Sequence, residues 1–176
     1  MFDKKIKIYP CRGMTGRIKE DVVKEARRDK EFMEKAGIEV LCPVLKEKVA
    51  ATKAILSSDL KHMLIYWPQD KKMIREAHVV FDMTPQLNSE GVKHEIGYAR
   101  YHLWKKVIRI YPAGQIPPSS SIAAMEDDYL TDNLIDAIGE AYRTHGSWLK
   151  RAIWRLKIYK RSWLKAKWYR MLEFLR

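Results

Sequence analysis

The sequence predicts an α/β fold, a doubly wound sheet of about five mainly parallel strands, from three observations. Short apolar runs at 5–9, 38–43, 79–83 and 107–111 read as strands. Stretches of helical periodicity separate them, and an opening of strand, helix and strand implies parallel pairing with a right-handed crossover. The strand ends near 10, 43, 84 and 111 then all point the same way, and ligands of such sheets bind outside those carboxyl ends. A basic amphipathic helical extension follows, dividing the chain into a globular region, 1–146, and a tail, 147–176.

At 176 residues, 47% of them hydrophobic and 32% charged, the chain supports one domain with a true core rather than a disordered segment. Met1-Phe2 leads into charged residues and a strand-like run, and no apolar run approaches 18 residues, so neither a signal peptide nor a membrane span is expected. Cys11 and Cys42 form neither a disulfide framework nor a metal-ligand spacing. A reducing, cytoplasmic location is the expectation. The net charge of +12 is concentrated: residues 147–176 hold ten Lys/Arg against one acid, Glu173, leaving only +3 for the rest.

The first strand, 5–9, ends at Pro10-Cys11-Arg12-Gly13-Met14-Thr15-Gly16-Arg17. Its glycines let backbone amides approach an anion, and an arginine fork suits a phosphate. It is neither a Walker loop nor GxGxxG. Residues 18–36 carry Ile18, Val22, Val23, Ala26, Phe32, Met33 and Ala36 at helical spacing, closed by Gly37. Cys42, in the second strand, is expected in the core. Residues 46–56 have helical character, 57–59 form a turn, and 60–67 are apolar and aromatic, with Tyr66 and Trp67 read first as packing residues and second as base-stacking ones. A helix begins at Pro68-Gln69-Asp70 and continues through Met73, Ile74 and Ala77, which puts Asp70 in a first turn. His78 is expected to be structural.

After the third strand, with Asp82 near its end, comes Asn88-Ser89-Glu90-Gly91-Val92-Lys93-His94-Glu95-Ile96-Gly97-Tyr98-Ala99. Ser89 is a suitable N-cap, and Glu90 is favoured in the first turn by the helix dipole. Ser89 and Glu95 lie within roughly 120° of one another around the helix and about 9 Å apart along it. That spacing suits a phosphate at the helix N-terminus and a reacting carbon one to two turns deeper. The helix runs on to Trp104, and the fourth strand follows. Three prolines and three consecutive serines mark 112–121 as a loop, a short strand is expected at 121–124, and a helix at 133–144.

The pattern Ser-x-Gly-x-x-x-Glu-Ile-Gly-x-Ala after a strand resembles the nucleoside 2-deoxyribosyltransferase-like superfamily over roughly residues 5–145. The resemblance implies a flavodoxin/Rossmann-like fold and a catalytic domain at 1–146. It makes Glu95 the nucleophile. Serine six residues earlier, Ser89, resembles the 2'-deoxynucleoside 5'-phosphate N-hydrolase branch, where that serine binds phosphate; transferases carry an aspartate there. Arg12 and Gly13 would cradle phosphate with Ser89 and Gly91. Asp70 would orient the sugar or protonate the leaving base. Ser120, among Ser119 to Ser121, would reach a neighbouring subunit's phosphate. Trp67 and Asp82 are candidates for base or sugar contacts. Relatives place a tyrosine inside the first strand against the nucleophile. A strand over 5–9 puts Ile6 or Ile8 there, with Tyr9 off the register; whether Tyr9 substitutes is left open, and it is a candidate base or sugar contact.

The expected activity is hydrolysis of the N-glycosidic bond of a (2'-deoxy)nucleoside 5'-monophosphate through a covalent glycosyl-Glu intermediate, with no metal and no organic cofactor. A homodimer or higher even oligomer is implied by the resemblance. The alternatives are a nucleoside 2-deoxyribosyltransferase exchanging bases and a non-catalytic nucleotide sensor. In the tail, Leu149, Ala152, Leu156, Tyr159 and Trp163 form a stripe among basic residues, and four of the six tryptophans lie there. An anionic membrane surface, a second subunit and nucleic acid are its candidate partners, in that order.

Overall fold

The computed structural model describes residues 5–14, 17–46, 60–87, 89–115 and 129–146, with backbone only for 60–65 and 146. Five strands form one sheet in the order β2-β1-β3-β4-β5, every neighbouring pair parallel: β1 (Lys7–Cys11), β2 (Glu39–Val40), β3 (Val79–Asp82), β4 (Lys106–Ile110) and β5 (Tyr129–Thr131). The helices are α1 (Lys19–Lys35), α2 (Pro43–Lys46), α3 (Leu60–Glu76), α4 (Glu90–Gly97) and α5 (Leu134–Gly146). The strand order reverses between β1 and β3, where a parallel sheet opens a crevice at its carboxyl edge.

Alternation along each strand divides the core. Ile8, Val79, Phe81 and Ile108 pack with Val22, Ala26 and Met33 of α1 and Ala137, Ile138 and Ala141 of α5. Tyr9, Cys11, Val80 and Val107 pack with Met73, Ile74 and Ala77 of α3 and with Val92, Ile96 and Ala99. Near-continuous apolar strands are what burial on both faces requires. Helix α1 ends as the glycine at 37 foretells. Gly37 takes φ +82°, its N–H donates to the Glu34 carbonyl, and Ile38 N–H reaches back to Met33.

Three expectations are corrected. First, β1 lies two residues later than 5–9 and contains Pro10. Along β1, Ile6 and Ile8 direct their carbonyls toward β2, where Glu39 and Leu41 donate to them, while Lys7 and Cys11 face β3. Position 10 therefore faces β2, but the β2 register stops at Ile8, so the missing N–H of proline leaves nothing unpaired in the ladder. Second, α3 begins at Leu60 and runs through Pro68 rather than starting there. Third, the helix of the central motif does not stay α-helical to Trp104. It widens into a π-helical turn, Tyr98–His102, and closes with Trp104 at φ 54° and Lys105 N–H bonded to the Ala99 carbonyl. The described fifth strand is Tyr129–Thr131. The expected strand at 121–124, the region 47–59, Ser120 and the tail 147–176 all lie outside the described residues. No helix among the described residues is long and apolar enough to cross a membrane.

Candidate active site

The motif helix starts directly beyond the carboxyl end of β3. Ser89 occupies the N-cap position in an extended conformation, and its hydroxyl makes no capping hydrogen bond. The first amides of α4 thus lack an intrahelical acceptor by geometry, and the hydroxyl beside them is not spent on the helix. Two loops meet here. Gly13 N–H donates to Thr84 Oγ1 at 2.7 Å, and Asp82 Oδ1 accepts from Thr84 N–H at 3.2 Å. A side chain at position 13 would put its Cβ 3.1 Å from Ser89 Cβ and 3.3 Å from Thr84 Oγ1, so anything larger than glycine requires its neighbours to give by a few tenths of an ångström. At Gly91 the reverse holds. A Cβ there would meet only Ser89 Oγ, at an ordinary 3.9 Å.

Deeper in, the α3–α4 face of the sheet gathers Tyr9, Asp70 and Glu95. Tyr9 is fully buried, and Asp70 is 8% exposed. Burial, then the negative charges of Glu95 and Asp70, push the Tyr9 phenol well above its usual range. It remains a neutral O–H at neutral pH. That hydroxyl lies close to the Glu95 carboxylate. Burial also raises the Asp70 carboxyl to about 6, and its Oδ1 has no hydrogen-bond partner among the described residues. Because α3 begins at Leu60, Asp70 stands in the third turn, not the first. Helix-dipole stabilisation does not explain an acid there.

The structure therefore brings together Tyr9, Asp70 and Glu95, and separately Gly13, Thr84, Asp82 and Ser89. The tyrosine against Glu95 is Tyr9 itself: Ile6 and Ile8 point into the opposite core. Arg12 is not presented to the crevice. Its side chain is 6% exposed, and its two terminal nitrogens bond Glu25 at 2.8 Å and Asp29 at 2.5 Å on α1. It anchors the loop after β1, and the phosphate role expected of it has no support in this geometry. Trp67 meets Tyr98 edge-on at 5.6 Å, beside the corner, and the Tyr98 hydroxyl accepts from Arg75 Nε at 2.7 Å. His78 is structural: its Nδ1 accepts from Lys7 N–H at 2.8 Å at the opposite end of the sheet. Sequence reasoning missed Thr84, and Arg100 and Arg109, which line a cavity beside α4 together with Thr84 and Ser89. Their signal was position alone, at the carboxyl edge of β3 and β4 and on α4's continuation. Among the described residues no cluster of metal-ligating side chains occurs.

The strand order and this crevice define a Rossmann-like α/β protein. The chain is similar in structure to a 2-deoxyribosyltransferase from Bacillus psychrosaccharolyticus, with TM-score 0.52 and 18% identity over 75% of this chain and 90% of that one. It is also similar to a conserved protein from Enterococcus faecalis V583, with TM-score 0.51 and 14% identity over 79% of this chain and 98% of that one. No family model matches the sequence, and no curated protein matches it in sequence.

Proposed function

We propose that the chain is an N-glycosidase that hydrolyses a (2'-deoxy)nucleoside 5'-monophosphate to free base and (deoxy)ribose 5-phosphate. The observation that carries this reading is the buried corner of Tyr9, Asp70 and Glu95 below an uncapped helix N-terminus. Glu95 attacks C1' and forms a glycosyl ester while the base departs. Asp70, holding a proton up to about pH 6, gives it to the leaving nitrogen. Water then attacks C1', the Asp70 carboxylate takes its proton, and Glu95 is released with configuration retained. Tyr9 O–H orients the Glu95 carboxylate.

The phosphate sits at the α4 N-terminus, held by the Ser89 hydroxyl and the Gly91 amide. No packing at position 91 demands glycine, and the absent side chain leaves the amide there open to a ligand. Trp67 and Asp82 are the candidates for base or sugar contacts in this reading. Ser120 of a second subunit completing the phosphate site belongs to the same reading, as does an even-numbered assembly.

The fold shared with a 2-deoxyribosyltransferase favours one second reading, in which another base instead of water resolves the intermediate. Both are tested by one assay: base release from ribo- and deoxynucleoside 5'-monophosphates and free nucleosides, with and without an acceptor base. Release from monophosphates alone, independent of acceptor, is the expected result. Strict dependence on an acceptor makes the chain a transferase. Glu95→Gln is expected to abolish turnover while ligand-induced thermal stabilisation persists; turnover that survives this substitution rules out the mechanism.

A further inference from the structure

A cavity of about 170 Å³ flanks α4 on the side turned toward β4. Its lining includes Thr84 and Ser89, and four charged groups: Asp82, Lys93, Arg100 and Arg109. Tyr9, Asp70, Glu95 and Gly91 are not among its walls. Lys93 and Glu95 are two residues apart, about 200° around the helix, so the cavity and the catalytic corner occupy different flanks of the same element.

Three cations and one carboxylate, Asp82, line this space; Lys93 also pairs with Glu90 at 2.5 Å outside it, and the two arginines are largely withdrawn from water. Arg100 is 5% exposed. The Arg109 side chain is 17% exposed, with Nη1 only at the outer range of an ion pair with Asp82, 3.9 Å. Arg100 and Arg109 each have further interactions of their own, so the inference rests on the sum of charge around the space. The π-helical turn allows Ala99 and Arg100 to be buried side by side, which brings a guanidinium under the helix. Desolvating guanidinium groups is costly, and arginine forks match tetrahedral oxyanions. The volume exceeds that of a few waters, which is the room a phosphoryl group takes.

We propose that this cavity is a second anion subsite, taking one phosphoryl group held by Lys93, Arg100 and Arg109. Ser89 and Thr84 lie on the border between it and the α4 N-terminus, so the two phosphoryl positions are neighbours. The phosphoryl group comes from one of two sources: the second phosphate of a nucleoside diphosphate whose first phosphate sits at Gly91, or free orthophosphate. The diphosphate form rests on the nucleotide reading above; the anion site itself does not.

Isothermal titration of the full-length protein with orthophosphate, and with nucleoside 5'-mono- and diphosphates, tests this alongside KM and kcat for base release. The variants are Arg109→Gln and Lys93→Gln. Orthophosphate binding that depends on the cavity cations is expected: about tenfold weaker in Arg109→Gln, a few-fold weaker in Lys93→Gln, and weaker with added salt. A diphosphate KM below the monophosphate KM, with the difference abolished by Arg109→Gln, identifies the nucleotide as the source. Orthophosphate binding without any diphosphate advantage identifies free phosphate. Should Arg109→Gln fail to fold by circular dichroism, Lys93→Gln, whose side chain is on the surface, decides alone. The proposal is overturned if wild type binds no orthophosphate and treats mono- and diphosphates alike, or if both folded variants bind as wild type does. Absence of base release from every nucleotide, with orthophosphate binding still dependent on Lys93 and Arg109, removes the N-glycosidase reading and leaves this site standing.

Discussion

Asp70 illustrates how one buried carboxyl links stability to chemistry. In the folded protein it keeps its proton up to about pH 6, whereas in the unfolded chain it ionises near pH 4. Between those values the folded state binds more protons, so this group's contribution falls as pH rises through the window and stays unfavourable above it. Asp70→Asn is expected to be more stable than wild type at pH 7 to 8, by roughly 2–3 kcal/mol from the size of the shift. It should also lose the slope between pH 4 and 6. Base release should drop on the order of 10²-fold and lose its decline above pH 6. Parallel stability curves for the two proteins across that range would show that Asp70 titrates normally. Arg12 makes the opposite case. With its guanidinium between Glu25 and Asp29, Arg12→Ala leaves those carboxylates to Arg17 and Arg28 alone. A loss of about 1–2 kcal/mol in denaturant unfolding is expected, with the KM of the remaining folded protein close to wild type. A KM rise without loss of stability would return Arg12 to the phosphate. The sequence showed an arginine beside a glycine in a strand-end loop. It did not show that Asp29 would take the α1 stripe position in place of Phe32, which is 43% exposed.

Among the elements, the contact between the loop after β1 and the start of α4 is the most sensitive. Gly13→Ala drives a methyl against Ser89 and Thr84, and the helix start has to move by a few tenths of an ångström. Overpacking of this kind costs about 1–3 kcal/mol. A lowered melting temperature and a several-fold higher KM for the phosphorylated substrate are expected, with kcat nearly unchanged; kinetics equal to wild type would separate this contact from substrate binding. Most elements were legible because apolar periodicity and glycine caps are local signals. The misplaced ones depended on tertiary context. Pro10 reads as a strand end unless one knows that β2 stops short of it. Pro68 reads as a helix start unless packing carries α3 through it. These two errors moved Tyr9 out of register and Asp70 into a first turn, so the contact of Tyr9 with Glu95 was left open and the site role of Asp70 rested on the resemblance alone. Glu95, Ser89 and Gly13 were legible from a single contiguous pattern and a loop composition.

For the molecule as a whole, charge is partitioned along the chain. Ending the protein at Gly146 removes nine of its twelve net positive charges. Such a shortened protein is expected to keep base release and to lose salt-sensitive binding to anionic vesicles. Equal vesicle binding by both forms would exclude a membrane role for the tail. The all-parallel sheet has a different consequence, one of timing. β1 pairs with β3 some seventy residues later, at Ile8 with Val79 through Cys11 with Asp82, and no hairpin can precede that closure. During synthesis the strand bearing Tyr9 must wait, unpaired on that side, until β3 has been made, and Tyr9 is covered only when α3 and α4 have docked. Shielding of that one phenol from chemical labelling would therefore mark the moment at which a growing chain acquires its reaction centre.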